Sequence, residues 1–558
     1  FPPPGPPPGR QARALVPPMR THSSGLASFR LSSTSSGRAS SGSGVPIDEV
    51  LSDCGLGFFH KRLLLTCGFG FSAAAVEAIL AAFLFDELRT HWGLNEYQLG
   101  ALPSLVSFGS TIGELFWGWF ADTYGRRPVF MATVVIVVVF GVLSALSPSF
   151  WWLYLFRFIV GFGYGGNIAV DFAIFTELLP TEGRGDMLFY VSAFWPMGTV
   201  ATCLLAWAVI PTLGWRVFLA ACAVPTLITA FFRPLIPESP RWLLLKGRNE
   251  EALEVCRHIV ETNGKRLEDV GLGPGARLVL ASEAQRRPRT SSRTSARAST
   301  APTRGEEAGR YMPNFARLWG RELWRTTLAC SLYGGGLGIA NYGAVTFMPT
   351  FLKGSGLEGP SMYQAMTLNA LSQFPGMALA MWVSSRHGRR LPLQLAFLFV
   401  AASLAAFAFA KTYVLMLVCT CVTCCSLEFG WATFHVYTPE VFPTELRATA
   451  LGFITATGSL VSTSAPFAAA YLLSEASALH VILFFSTVCA VVCCTTAVLF
   501  HRETRGQDLS DHASSSFSSS RDFRDRDSFA GSILRVELAD TPMTSRAATP
   551  AGTPSTVG

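Results

Sequence analysis

Long apolar runs without a charged side chain recur along the chain, for example at residues 128–154 and 391–410. Such runs match the roughly 20 residues that an α-helix needs to cross the hydrocarbon core of a membrane. A surface helix of a soluble protein would instead show a polar face every three or four residues. We delimit six runs before and six after a long polar segment, at 63–85, 98–121, 129–147, 150–172, 187–210, 217–236, 327–350, 362–384, 391–410, 413–436, 448–472 and 479–500. The pattern predicts an all-α polytopic membrane protein with twelve transmembrane helices.

The chain also repeats short polar signals at a fixed distance. The segment Gly118–Arg127 closes the second run, and a shorter version of it, Ser384–Arg390, closes the eighth. The two copies are offset by 263 positions, and the same offset separates Glu177 from Glu440 (440 − 177). The chain is therefore predicted to consist of two pseudo-symmetric six-helix halves that carry the same loop signals.

These signals divide the chain into two halves, a linker and two tails. We predict a disordered N-terminal tail at 1–47, an N-terminal half at 48–236, a cytoplasmic linker with short helices and a disordered segment at 237–325, a C-terminal half at 326–506 and a disordered tail at 507–558. The first tail is rich in Pro, Ser, Gly and Arg and has no acidic residue before Asp48, which favours disorder. The same composition is typical of an organellar transit peptide, which is the alternative.

The net charge of +7 comes from arginines that concentrate in a few connecting loops. Loops rich in Arg are typical of the cytoplasmic side of a membrane, so we place both termini there and expect no nucleic-acid partner. Most of the 13 cysteines lie inside apolar runs, where free cysteine acts as a small hydrophobe, and we expect no metal site. The glycine cluster at 161–166 also lies in such a run and predicts close helix packing. Because we find no nucleophile–base constellation and no ATP-binding loop, we expect neither an enzyme nor a bound cofactor.

The motif that closes the second run resembles the loop motif of the major facilitator superfamily. The segments Pro237–Trp242 and Tyr437–Arg447 resemble signals of its sugar-porter-like branch, and the order of motifs is most similar to that of the synaptic-vesicle-two-related proteins. The resemblance implies a twelve-helix major facilitator fold that changes conformation around this loop. The residues to which it assigns this conformational role are Gly118, Asp122, Gly125, Arg126, Arg127, Gly388, Arg389 and Arg390.

Two positions depart from the pattern of that branch. Ser385 stands where the counterpart of Asp122 would be, so we expect a charge latch in the first loop and a weaker one in the second. Ala74 stands where many similar proteins have an acid, which leaves Glu77 as the only acid of the first span.

The resemblance implies that spans 1, 4, 7 and 10 surround a central cavity, and these spans carry polar residues here. Ionisable groups at membrane depth are costly unless they face protein or water, so they are candidates for function. The candidates for substrate binding and proton coupling are Glu77, Asn167, Asp171, Asn341, Glu428 and His435. We expect Asp171, facing Glu77 across the N-terminal half, to be the first candidate proton site, Glu77 the second, and Glu428 a substrate or gating contact. Arg157 lies about 21 Å from Asp171 along its helix, too far to neutralise it. Glu114 is expected near the membrane edge, in a structural role.

These features predict a monomeric secondary active transporter that moves a small organic solute by alternating access, with protons as the coupling ion. An organic acid, a vitamin-like aromatic acid and a sugar are all compatible with the sequence. The alternative is a receptor or regulatory membrane protein that keeps the transporter fold without transport, which the missing acid at Ala74 favours. The lipid bilayer that holds the protein is either the plasma membrane or the membrane of an internal vesicle or organelle.

Overall fold

The computed structural model describes residues 44–180, 182–273, 275–280, 314–354, 359–443, 446–475, 478–500 and 503–504. Residues 1–43, residues 281–313 of the polar linker and the C-terminal tail at 507–558 lie outside these ranges, and so do the predictions of disorder made for them. The described part that begins at Gly44 is one compact unit that contains both halves.

The N-terminal half is built from long apolar helices joined by short turns. A short helix precedes the first span, and the second and third spans are joined at Gly125, where φ is 115°. Only glycine adopts such a backbone conformation without strain, which accounts for the residue at this turn. The helices are α1 (Ile47–Cys54), α2 (Phe58–Ile79, continued by a 3₁₀ turn Leu80–Phe83), α3 (Phe85–Trp92), α4 (Glu96–Tyr124), α5 (Arg126–Ala145), α6 (Phe150–Leu178), α7 (Arg184–Ser192) and α8 (Phe194–Phe232, followed by a 3₁₀ turn Arg233–Leu235).

The linker begins with two short helices, α9 and α10. The C-terminal half then repeats the architecture of the N-terminal half. The seventh span is interrupted by a π-helical segment, and the eighth is divided between two helices that meet near Ser372. The elements are α9 (Pro240–Leu245), α10 (Asn249–Thr262), α11 (Asn314–Leu318), α12 (Trp324–Ile339, followed by the π-helix Ala340–Val345), α13 (Met348–Gly354), α14 (Pro360–Leu371), α15 (Gln373–His387), α16 (Arg390–Ala408), α17 (Tyr413–Val441), α18 (Arg447–Glu475) and α19 (Ala478–Leu499).

Eight helical stretches of the described residues are long and apolar enough to cross a membrane. One of them, 184–235, contains two predicted spans, because Gly214 has a φ of 80° and breaks α8 into two helices. These stretches therefore account for nine of the twelve predicted spans. The remaining three predicted spans correspond to α12 with its π-helix, to α14 with α15, and to α18.

Close packing of α4 against α6 shapes the N-terminal half. A Cβ atom added at Gly109 or Gly113 would collide with the main chain of α6, and one added at Gly161 or Gly165 would collide with the main chain of α4. Small residues on both surfaces let two membrane helices approach until their backbones touch. The sequence-based prediction of close packing at this glycine cluster is thus confirmed. Across the two halves, α4 packs on α18, and α8 packs on α14.

The linker folds back on the residues before the first span. Val45 and Pro46 form a two-residue strand, β1, that pairs in parallel with Leu278 and Val279 of β2. The side chain of Asn263, just after α10, accepts a hydrogen bond from the Phe59 N–H over 2.9 Å. The described structure therefore includes Val45, Pro46 and Ile47, which precede the predicted start of the N-terminal half at residue 48, and β1 has its strand partner in the linker.

Candidate functional site

A central cavity lies between the two halves, with walls from α2, α4, α6 and α8 on one side and from α12, its π-helix, α17 and α18 on the other. It encloses about 790 Å³ of empty space, including its opening. The first, fourth, seventh and tenth spans all contribute to it, as the sequence predicts.

Two carboxylates contribute to the cavity wall, one from each half. Glu114 of α4 is only 3% exposed, and its Oε1 accepts hydrogen bonds from the hydroxyls of Ser110 and Ser459, both over 2.9 Å. Its Oε2 is buried and has no hydrogen-bond partner among the described residues. Glu428 of α17 is 5% exposed and makes no hydrogen bond or ion pair within the described part of the chain. Since Ser459 belongs to α18, Glu114 also links the two halves.

Aromatic rings form much of the remaining wall. The lining rings are those of Phe71, Tyr164, Trp195, Tyr342, Trp431, Phe434 and His435. The imidazole of His435 lies 5.4 Å from the Trp431 ring and 4.9 Å from the Phe172 ring, and its Nδ1 is buried without a partner in the described structure. The wall is therefore apolar over wide faces, with a few polar groups placed between them.

The π-helix in the seventh span carries two cavity residues, Asn341 and Tyr342. The main-chain oxygen of Asn341 accepts hydrogen bonds from the N–H and the hydroxyl of Thr346, over 3.0 and 3.3 Å. A π-helical turn rotates the following side chains relative to an α-helix and is frequent at functional sites. Here it presents two adjacent side chains to the same cavity.

Glu77 does not line the cavity but forms an ion pair inside the N-terminal half. Its Oε2 accepts a hydrogen bond from Nη1 of Arg157 over 2.7 Å, and its main-chain oxygen accepts another from Nη2 over 3.3 Å. Both side chains are almost completely buried. The only acid of the first span is therefore neutralised by the arginine of the fourth.

Asp171 forms a second buried ion pair, with an arginine that the sequence analysis overlooked. Nη2 of Arg233 lies 2.9 and 2.8 Å from the two carboxylate oxygens of Asp171, and the guanidinium also stacks 3.7 Å from the centre of the Phe130 ring. A Cβ atom at Gly70 would lie 2.7 Å from Oδ2 of Asp171, so α2 approaches the pair because residue 70 has no side chain. Asp171 is therefore held between α2, α5, α6 and the end of α8.

The structure thus divides the six predicted residues into two groups. Asn341, Glu428 and His435 line the cavity. Asn167 contacts Thr133 of α5 over 3.5 Å and, like Glu77 and Asp171, is not part of the lining. The expectation that Glu77 faces Asp171 is not met, because each acid has its own arginine. On α2, Glu77 lies two turns, about 10 Å, beyond the position that meets Asp171.

Sequence reasoning misplaced Glu114 and missed Arg233. Because α4 continues to Tyr124, Glu114 lies about 15 Å from the end of its helix, where its side chain lines the central cavity. Arg233 is the only charged residue of the predicted span 217–236, and that isolation in an apolar run is the signal that could have identified it.

The loop motif of the first half joins three segments. Glu238 accepts hydrogen bonds from the N–H groups of Arg126 and Arg127, each over 3.0 Å, at the start of α5. An anion is stabilised there by free N–H groups and by the helix dipole. The guanidinium of Arg126 reaches Glu177, at the end of α6, over 3.3 Å. The side chain of Asp122 lies outside the described structure, and a Cβ atom at Gly118 would meet nothing within 4 Å.

The second half repeats this arrangement. Glu503 accepts hydrogen bonds from the N–H groups of Arg389 and Arg390 over 2.8 and 3.3 Å, at the start of α16. The Arg389 side chain pairs with Glu440 at 3.2 Å. Gly388, with a φ of 83°, makes the turn that Gly125 makes in the first half. The duplicated signals in the sequence therefore correspond to duplicated ion-pair networks at the same end of the molecule.

Comparisons with known proteins agree with this architecture. Residues 63–514 match the sequence profile of the family described as "Sugar (and other) transporter". The niacin transporter NiaP of Acinetobacter baylyi is 26% identical over 456 residues, covering 81% of this chain and 96% of that protein. Organic cation/carnitine transporter 7 of Arabidopsis thaliana is 29% identical over 497 residues, covering 84% and 97%. The synaptic vesicle 2-related protein of Xenopus laevis is 27% identical over 481 residues, covering 83% and 82%.

Solved structures show the same fold. The proton:xylose symporter XylE bound to 6-bromo-6-deoxy-D-glucose superposes with a TM-score of 0.65 at 17% identity, covering 82% of this chain and 98% of that one. A partially occluded inward-open form of XylE from E. coli gives a TM-score of 0.61 at 16% identity, covering 81% and 100%. These comparisons confirm the predicted fold and the resemblance to the synaptic-vesicle-two-related proteins, and the matched family and two of these three relatives are named as transporters and not as enzymes. The chain belongs to the sugar (and other) transporter family of multi-pass membrane proteins, with the major facilitator fold that its hydrophobic pattern predicts.

Proposed function

We propose that the protein is a secondary active transporter that moves a small organic solute by alternating access and couples this movement to protons. The observation that carries the proposal is the pair of buried carboxylates, Glu114 and Glu428, in the wall of a cavity between the two halves. The described lining of this cavity contains neither lysine nor arginine. A charged carboxylate at this depth is costly unless a proton or a cation compensates it.

Glu114 is the group to which we assign the coupling proton. Its hydrogen-bond donors are two neutral hydroxyls, of Ser110 and Ser459, so a proton on its free oxygen removes a charge that no described cation balances. The titratable groups that interact with it electrostatically are Tyr164 of α6 and Tyr342 of the π-helix. Because Ser459 belongs to the other half, protonation changes a contact that rocking of the halves must break or form.

Asp171, the site predicted from the sequence, is the competing assignment. Its carboxylate is already paired with Arg233, which supplies the positive charge that a proton would otherwise supply. The same holds for Glu77 and Arg157. A carboxylate that exchanges protons during transport has to meet the water of the cavity, and among the residues that the structure describes Glu114 and Glu428 are the two carboxylates that line it.

Alternating access also requires that each half move as a rigid unit. The duplicated ion-pair networks at the starts of α5 and α16 hold one end of each half together. Glu238 and Glu503 each tie the chain that follows a half to a loop inside that half. The halves can then rotate as units around the cavity, the motion expected of major facilitator transporters. Three of the similar proteins are named for small organic solutes, namely niacin, organic cations with carnitine, and xylose with protons.

Transport by the purified full-length protein in proteoliposomes tests the proposal. Radiolabelled nicotinate, nicotinamide, 1-methylnicotinamide, L-carnitine and D-xylose are offered with and without an imposed proton gradient. We expect at least one solute to accumulate only with the gradient. Glu114→Gln should abolish this accumulation and retain counterflow exchange, which needs no net proton movement. Asp171→Asn is measured beside it, and the exposed Glu475→Gln serves as the unchanged control.

Three outcomes would contradict the proposal in different ways. Normal gradient-driven accumulation by Glu114→Gln would refute the assignment of the coupling proton to Glu114. Loss of accumulation in Asp171→Asn alone would support the site predicted from the sequence. Binding of a solute without movement across the membrane would support the receptor alternative.

A further inference from the structure

We infer that the transported solute is an organic monocation with a flat or compact apolar body, held by Glu428 and surrounded by aromatic rings. The inference rests on the proposed function, because it names the substrate class of the same cavity. This substrate class differs from the organic acid and the sugar that are also compatible with the sequence alone.

The charges around the cavity exclude a good site for an anion. Among the described lining residues the acids are Glu114 and Glu428, and the single basic side chain is that of His435. Two buried guanidinium groups of the N-terminal half, those of Arg157 and Arg233, are each paired with a carboxylate and are not part of the wall. A carboxylate solute would therefore enter a site with two acids and no available arginine.

His435 does not change this balance. Its ring contacts those of Phe71, Phe172 and Trp431, at 5.8, 4.9 and 5.4 Å between centres. Its Nδ1 is buried, and within the described ranges no acceptor is available for a proton on that nitrogen. The imidazole therefore contributes an aromatic surface to the wall and not a fixed positive charge.

The serine and threonine hydroxyl groups of the described wall are already engaged in hydrogen bonds within the protein. Thr455 and Ser462 donate to main-chain oxygens of their own helix, over 2.8 and 2.7 Å, and Ser459 donates to Glu114. A sugar needs many hydrogen-bond partners in place of water, because a polar group buried without one costs free energy. The other neutral polar groups of the described lining are the Asn341 amide, the Tyr164 and Tyr342 hydroxyls, which interact with each other, and the indole N–H groups of Trp195 and Trp431, and they are spread among wide aromatic faces.

Glu428 is the group that a cation would satisfy. It is 5% exposed, lines the cavity, and has no hydrogen-bond or ion-pair partner within the part of the chain that the structure describes. Two cysteines on its own helix, Cys424 and Cys425, interact with it electrostatically and cannot neutralise it. An ammonium or pyridinium group in the cavity would supply the missing charge and, for a protonated amine, a hydrogen bond as well.

The aromatic wall suits the rest of such a solute. Trp195, Tyr164 and Phe71 come from the N-terminal half, and Tyr342, Trp431 and Phe434 come from the C-terminal half. The faces of aromatic rings attract cations, Trp most strongly, and the attraction grows when the cation is shielded from water. Because the rings come from both halves, a cation between them contacts both sides of the rocking interface. With a proton on Glu114 and the solute on Glu428, both acids of the cavity are neutralised.

Equilibrium binding to purified full-length protein in lipid nanodiscs tests the inference with solutes matched in shape. The first set is 1-methylnicotinamide, nicotinamide and nicotinate, which share a pyridine ring and carry charges of about +1, 0 and −1 at neutral pH. Sets built in the same way on quinoline and on benzylamine scaffolds broaden the test. We expect the cation of at least one set to bind at least roughly tenfold more tightly than its neutral and anionic partners, as expected for a buried charge pair.

Substitutions locate the site. Glu428→Gln keeps the shape of the side chain and leaves no partner unpaired, so it should fold normally and weaken binding of the cation at least roughly tenfold. Glu428→Asp should restore most of the affinity. Trp431→Leu should weaken binding roughly fivefold, the loss of one cation–π contact. Glu475→Gln, at the exposed end of α18, should leave it unchanged.

The outcomes separate this inference from the proposed function. Tighter binding of the anion or the neutral solute, binding of no cation in any set, or full affinity in Glu428→Gln overturns the inference. Gradient-driven accumulation of an anionic or neutral solute overturns the inference and supports the transporter. Selective binding of a cation that never crosses the membrane supports the inference as a statement of binding specificity and contradicts transport.

Discussion

The buried pair of Asp171 and Arg233 allows a quantitative test of whether Asp171 is structural. Asp171→Asn is nearly isosteric, but it removes the negative charge that faces a guanidinium with no exposed surface. The guanidinium keeps its hydrogen bond to the main-chain oxygen of Phe130, over 2.5 Å, and its contact with the Phe130 ring. Neither of these neutral partners replaces a carboxylate.

The expected loss in the free energy of unfolding follows from the geometry of the ion pair. Removing one member of a buried ion pair costs about 3–5 kcal/mol, because the remaining charge stays buried without compensation. Both contacts, of 2.9 and 2.8 Å, come from the single nitrogen Nη2 and have the length of charge-assisted hydrogen bonds. In Asp171→Asn/Arg233→Gln both charges are absent, so most of the loss should be recovered. We expect the double variant to lie within about 2 kcal/mol of the parent.

Unfolding in mixed micelles of dodecyl maltoside and SDS measures these differences. A thiol-reactive dye gives the signal, because most of the 13 free cysteines are buried in the folded protein. Glu251→Gln is the matched control, since it breaks the exposed pair with Arg248 and should cost less than about 1 kcal/mol.

Two results would refute the reasoning. The first is an Asp171→Asn variant as stable as the control, which would mean that the pair is already relaxed or solvated. The second is a double variant no more stable than the single one, which would mean that the loss does not come from the uncompensated arginine. With the folded fraction known, the transport assays of Asp171→Asn report coupling and not stability.

Three further predictions concern orientation, the latch and helix packing. A single cysteine at Gly356 should react with an impermeant thiol reagent in intact cells, whereas one at Ser291 should resist; the opposite pattern would invert the topology. Asp122→Asn should favour the inward-open state and slow counterflow, whereas Ser385→Ala should do little, because in the described structure that hydroxyl donates to the main-chain oxygen of Trp382 in its own helix; equal effects would contradict the asymmetry. Gly161→Val should lower the free energy of unfolding by about 2 kcal/mol by forcing α4 from α6, and an unchanged value would argue against this contact.

Hydrophobic patterning was sufficient to predict the membrane spans, because a helix in lipid must be apolar over its whole length. The internal repeat was equally informative. Gly125 and Gly388 mark equivalent turns, and Arg126 and Arg389 pair with equivalent acids, Glu177 and Glu440. These relations depend only on position along the chain. An alignment of the two halves of the sequence therefore identifies these equivalent positions.

The facing of individual side chains was harder to predict. Asn167 and Asp171 share a helix face, as their spacing indicates, but that face meets neighbouring helices and not the cavity. Which side of a buried span faces a cavity depends on how six helices rotate about their axes, and uniformly apolar helices give little signal for that rotation. The partner of Glu238 was hidden for another reason, because it consists of main-chain N–H groups that no residue type identifies.

The contact between Asn263 and the residues before the first span has a consequence for synthesis. Asn263 lies 204 positions after Phe59 at the start of α2, whose N–H donates to it, and its side-chain amide also donates to Cys54 at the end of α1. Because β2 lies still later, β1 and these residues leave the ribosome before their linker partners have been made. Their binding site is complete only after the sixth span has been translated and inserted. Since domains generally fold as units during translation, we expect the contacts of β1 and Asn263 to form once the first half has been inserted.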